Sequence, residues 1–148
     1  MTSDPTLDLL KRASWRCEVL FKQRGSLRTV VWLTERLDGH REQIETGCTS
    51  ATPAEASKDE VLAVLPAEMR ADYAHAGVVR FGCAYPATEH TANGRCSCVA
   101  VEAHDDRGHH AVGLREVFRR NGRPMLGALE LASASIGRYA NLLGCVTA

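Results

Sequence analysis

The sequence predicts an α+β fold: one twisted antiparallel sheet of about five or six strands with helices packed on it, in the order αββαβββ(β)α. Three observations predict it. Residues 78–85, 96–103 and 111–118 are runs rich in β-branched and aromatic side chains, with turn residues between them. Asp38-Gly39 joins two further runs, 27–37 and 40–46, with a strong hairpin signal. Asp4-Pro5 opens a stretch whose apolar residues recur at helical spacing.

The first helix is expected from Asp4, its capping side chain, to about Gln23, with Gly25 as its stop. Leu7, Leu10, Ala13, Cys17, Leu20 and Phe21 share one face. Trp15 and Val19 lie off that stripe, one turn apart. They either pack under a neighbouring loop or form a patch for a partner, since Trp is enriched where interfaces bind tightly. A two-residue turn at Asp38-Gly39 pairs Leu37 with His40, Glu35 with Glu42, Leu33 with Ile44 and Val31 with Thr46. Leu33, Ile44, Val31 and Leu37 then mark the buried face. Glu35 and Glu42 fall opposite each other, which is unfavourable for like charges. That pair sits at a wet end, holds a cation or Arg, works as an acid/base couple, or signals a different register.

Residues 47–56 read as a surface loop. Ser57-Lys58-Asp59-Glu60 is a capping box that opens a helix, kinked or restarted at Pro66 and running to His75 before Gly77. After the strand that begins at Val78, residues 86–94 read as a polar loop. Asp105-Asp106-Arg107-Gly108 is a short hairpin loop. The pairing it implies puts Val99, Val101, Val112 and Leu114 on one face. Cys96, Cys98, Ala100, Glu102, Gly113, Arg115 and Val117 take the other. Asn121-Gly122 marks one more turn, residues 124–130 an edge strand, and residues 134–143 a last helix.

This order of elements resembles the roadblock or longin-like layout, a five-stranded antiparallel sheet with helices on both faces. Arg115-Glu116-Val117 together with residues 123–130 also resembles the C-terminal half of small bacterial proteins of unassigned function. Neither resemblance implies an activity.

The 148 residues suit one domain with a sizeable core, and 45% hydrophobic with 24% charged residues marks an ordered globular chain. Lys plus Arg and Asp plus Glu number 18 each, so no global charge draws the chain to nucleic acid or an anionic membrane. Residues 1–10 are not expected to act as a signal peptide, and no apolar stretch approaches the roughly 20 residues of a membrane span. A soluble, cytoplasmic protein with reduced cysteines is expected.

Three side-chain groupings carry chemistry. Cys83, Cys96 and Cys98 are core residues or soft-metal ligands. His104, Asp105, Asp106, His109 and His110 crowd one hairpin; a turn accounts for the acids, and His104 paired with His109 could hold a transition metal. Arg115, Arg119, Arg120 and Arg123 surround the Asn121-Gly122 turn, either as a solvated edge or as a grip on phosphate or an acidic partner. Cys48 is the candidate exposed thiol. Walker, dinucleotide-binding, zinc-protease, serine-hydrolase and zinc-deaminase motifs are absent from the sequence.

The function expected from this is an interaction or regulatory module without a cofactor. It would bind a protein partner or itself, as a homodimer, through Trp15, Val19, Arg115, Arg119, Arg120 and Arg123. The alternative is a small metal-dependent hydrolase or ligand-binding protein using Glu35 and Glu42, or His104 and His109. A nucleic-acid binder working through the arginine hairpin is a further alternative, although nucleic acid is not the expected partner.

Overall fold

A computed structural model describes residues 4–47, 78–91 and 94–132. Helix α1 (Pro5–Arg24) begins where Asp4 accepts hydrogen bonds from the backbone N–H groups of Thr6 and Leu7, at 3.0 and 3.2 Å. It ends at Gly25, whose left-handed φ of 75° lets its N–H reach the Phe21 carbonyl at 2.7 Å. Among the described residues seven strands follow: β1 (Thr29–Arg36), β2 (Arg41–Gly47), β3 (Val78–Thr91), β4 (Gly94–Asp105), β5 (His110–Arg120), β6 (Arg123–Leu126) and β7 (Glu130–Leu131). They form one antiparallel sheet in the order β2-β1-β3-β4-β5-β6, with β7 also on β5. The sheet curls into a half-barrel. No helix among the described residues is long and apolar enough to cross a membrane.

This corrects the expected fold class. Among the described residues the protein is mostly sheet with one helix, not a sheet carrying several helices as in the roadblock or longin-like layout. The helices expected at 57–75 and 134–143 lie outside the described residues. One cause of the difference is the length of β3. Residues 86–91, expected as loop, continue the strand and pair with β4 as far as Thr91 opposite Gly94. Pro86 is tolerated because β1 pairs with β3 only up to Ala84, so beyond it that edge of β3 lacks a β1 partner.

The core lies between α1 and one sheet face. Leu9, Leu10, Ala13, Cys17, Leu20 and Phe21 of the helix meet Val31, Ala84, Val99, Val101 and Ala103 of the sheet. Each large side chain buried there contributes about 1.5–3 kcal/mol. Gly82 admits the helix closely: a Cβ there would stand 3.1 Å from Leu9 Cγ and 3.3 Å from the Leu9 carbonyl oxygen. The other face is also buried at Val30, Trp32, Phe81, Cys83, Tyr85 and Val112. Strand β4 is consequently buried on both faces from Cys98 to Asp105.

Two hairpins differ from expectation by one residue, for one reason. Arg36 N–H bonds the His40 carbonyl at 2.8 Å, and Asp105 N–H bonds the His109 carbonyl at 3.0 Å. Gly39 and Gly108 both have φ of 88°. Each connection is therefore a three-residue loop closed by a glycine bulge, in place of the two-residue turn expected at Asp38-Gly39 and the longer loop expected at 105–108. The one-residue change in loop length pairs Glu35 with Arg41, Trp32 with Ile44 and His104 with His110. Val31 and Leu33 thus share no face with Ile44, and Leu37 is exposed at the loop. Val99 and Val101 now lie with Gly113, Arg115 and Val117, while Cys98, Ala100 and Glu102 lie with Val112 and Leu114. The expected edge strand at 124–130 is split: β6 and β7 both run along β5, separated by a bend where Gly127 N–H bonds the Glu116 carbonyl at 2.7 Å.

Candidate functional site

On the sheet face away from α1, Tyr85 from β3 and Glu102 and His104 from β4 form a buried polar network. The Tyr85 hydroxyl donates to Glu102 Oε2 at 2.6 Å, and His104 Nε2 lies 2.9 Å from Glu102 Oε1. Glu102 is 0% exposed, so its carboxyl depends on these partners for the hydrogen bonds that water would otherwise supply. The ring of Phe81 lies 5.2 Å from that of His104, and His110 stacks on the other strand at 6.2 Å. Strand alternation places Glu102 and His104 on one face. A Glu-x-His pair inside an otherwise apolar strand was the sequence signal for this network; the partner role of Tyr85 needed the register.

The acidic and histidine pairs named from the sequence do not come together. Glu35 faces the helix side and Glu42 the other, because Glu42 stands opposite Thr34. Glu42 takes His40 at 3.0 Å and Arg36 at 3.7 Å. Glu35 takes Arg80 at 2.6 Å, Arg12 at 3.0 Å and Arg41 at 3.5 Å. His104 and His109 each have their own carboxyl group: Glu102 for the first, and Asp105 for the second at 2.7 Å. Burial pushes the Asp105 carboxyl up. Hydrogen bonds from His109 and from the Arg107 N–H outweigh it and hold that carboxyl below its ordinary value. Among the described residues, no three His, Cys, Asp or Glu side chains converge in a metal-holding group.

The four arginines divide. Arg115 is only 7% exposed and turns inward. Its Nε donates to the Gly127 carbonyl at 2.7 Å, Nη1 approaches the Ser14 carbonyl at 3.3 Å, and Nη2 donates to Glu18 at 2.6 Å. It ties α1, β5 and the bend before β7 together and does not belong to the exposed patch. Its hydrogen bond holds the Glu18 carboxyl below its ordinary value, against a smaller effect of burial. Arg119, Arg120 and Arg123 are exposed at the β5–β6 tip. Arg119 donates to the Gly122 carbonyl at 3.2 Å. Arg120 stands directly opposite Arg123. Asn121 and Gly122, at φ of 53° and 78°, make the tight two-residue turn between them. Trp15 is 61% exposed on the outer side of α1, with Val19 partly covered beside it.

Cys17, Cys83 and Cys98 are buried and Cys96 is partly so. Burial raises the Cys17 thiol to about 11. Cys83 stands opposite Glu102 and Cys98 opposite Ala87. Four residues of strand therefore separate these two thiols, about 13 Å at roughly 3.3 Å per residue. Cys48 lies outside the described residues. No protein-family model, curated protein or solved structure matches the chain.

Proposed function

We propose that this protein is a non-catalytic interaction module that docks an acidic segment of a partner protein on the tip of its β5–β6 hairpin. The observation that supports this is the Arg120–Arg123 pair. Two like charges directly opposite in an antiparallel ladder are destabilising. No acidic side chain among the described residues bonds either one. Arg119 adds a third charge on the other face of the ribbon, and Phe118, 38% exposed, lies on the same face as Arg120. Guanidinium groups in this setting suit carboxylates, which they can bind in two-point fashion. Trp15, exposed on the helix, is available for apolar contact with a larger partner.

A fluorescein-labelled octaglutamate peptide is the direct probe, read by anisotropy. Binding that weakens with salt and drops at least tenfold in the Arg120→Glu/Arg123→Glu variant is the expected result. Equal affinity in the variant contradicts the reading. A labelled single-stranded oligonucleotide that binds more tightly than the peptide, with the same loss in the variant, moves the partner class to nucleic acid.

A further inference from the structure

We propose that a second site, a cleft beside the first turns of α1, binds a small ligand through its phosphoryl dianion. Lys11 and Arg12 of the helix, Arg41 of β2 and Arg80 of β3 line it, with Asp8 and Glu35. Three elements send arginines to one carboxylate on a fourth: Glu35, whose side chain is 13% exposed, holds Arg80 at 2.6 Å, Arg12 at 3.0 Å and Arg41 at 3.5 Å. This carboxylate positions the guanidinium groups without saturating them. Three guanidiniums present about fifteen N–H donors against about four lone-pair sites on one carboxylate. Arg80 Nε is buried and has no hydrogen-bond partner.

Lys11 brings a fourth positive charge with no carboxylate in salt-bridge reach among the described residues. Four cations against Asp8 and Glu35 leave a surplus of two positive charges in the cleft. A phosphoryl dianion matches that surplus. Its oxygens accept from several N–H groups at once, the geometry in which arginine excels. Asp8 opposes the anion, and its place in the first turn of α1 is accounted for by the helix dipole. Inorganic phosphate and the phosphate ester of a small organic molecule offer the same group, so the test includes both.

The experiment is a ³¹P NMR titration of the whole protein with inorganic phosphate and, separately, with glycerol 3-phosphate, at constant ionic strength. Arg41 has 61% of its side chain exposed and Lys11 is also exposed, so Lys11→Ala/Arg41→Ala should keep the fold, which circular dichroism checks. Saturable binding that weakens at least tenfold in this variant and is unchanged in Arg120→Glu/Arg123→Glu is expected. The tighter of the two probes tells whether the ligand is the free ion or an ester. Absence of saturable binding, equal binding by the folded Lys11/Arg41 variant, or loss in the hairpin variant would overturn the proposal. Because the hairpin tip is probed with a peptide and a different variant, either site can fail without the other.

Discussion

Arg115 shows how much of this structure depends on single polar side chains. It is a cation in an apolar strand, and its donors reach a helix carbonyl, a helix carboxylate and the bend before β7. Arg115→Ala should lower stability by about 2–3 kcal/mol, since it strips a buried charge-assisted network. Arg119→Ala, exposed on the same strand, should stay within about 0.5 kcal/mol. Urea denaturation of the two variants checks the contrast. The Glu18 partner adds a pH dependence. Its folded-state carboxyl is held below the ordinary 4.5, so the unfolded chain binds the proton more tightly. Its contribution is complete above about pH 4.5 and is lost as pH falls through the lower folded value. The stability gap between the wild type and Glu18→Gln should thus be level at neutral pH and shrink in acid; a gap that widened in acid would show the sign is wrong. Sequence reading placed Arg115 with the surface arginines because an isolated basic residue near a turn looks the same whether its side chain points out or in. Only the strand register decides.

At the scale of elements, α1 and the positions of the main strands were legible in the sequence, while the fold class and the hairpin pairing were not. Asp4, Pro5 and Gly25 delimit α1 in both sequence and structure, because caps are local chemistry. Hairpin register depends on a finer distinction. Where Asn121 precedes Gly122, both residues adopt positive φ and the loop has two residues. Where Asp38 or Arg107 precedes the glycine, only the glycine does, and the loop takes one residue more. That single residue separates Glu35 from Glu42 and His104 from His109. Glu102 and His104 share a face by strand alternation alone, and the β3–β4 pairing brings Tyr85 to them. Gly108→Ala tests the bulge. A Cβ at this position meets nothing within 4 Å, so the cost is conformational alone, about 1–2 kcal/mol for a residue forced to φ of 88°. A neutral effect on the denaturation midpoint would mean that the loop does not need its left-handed residue.

At the largest scale, among the described residues, the curled sheet holds one helix and two basic regions far apart. Strand β5 runs from His110, beside the end of β4 that pairs with Arg80, to Arg120 at the hairpin tip. Its length, about 33 Å at roughly 3.3 Å per residue, separates the cleft at Lys11 and Arg41 from the tip. Overall neutrality in the composition, 18 acids against 18 bases, hides this division because a count carries no positions. The central claim concerns the tip, and the most direct measurement is ¹H–¹⁵N chemical-shift mapping of the protein titrated with octaglutamate. The account predicts shifts concentrated in the amides of residues 118–123 that disappear in Arg120→Glu/Arg123→Glu. Shifts concentrated instead around Lys11 and Arg41, or spread evenly over the exposed arginines, would contradict it.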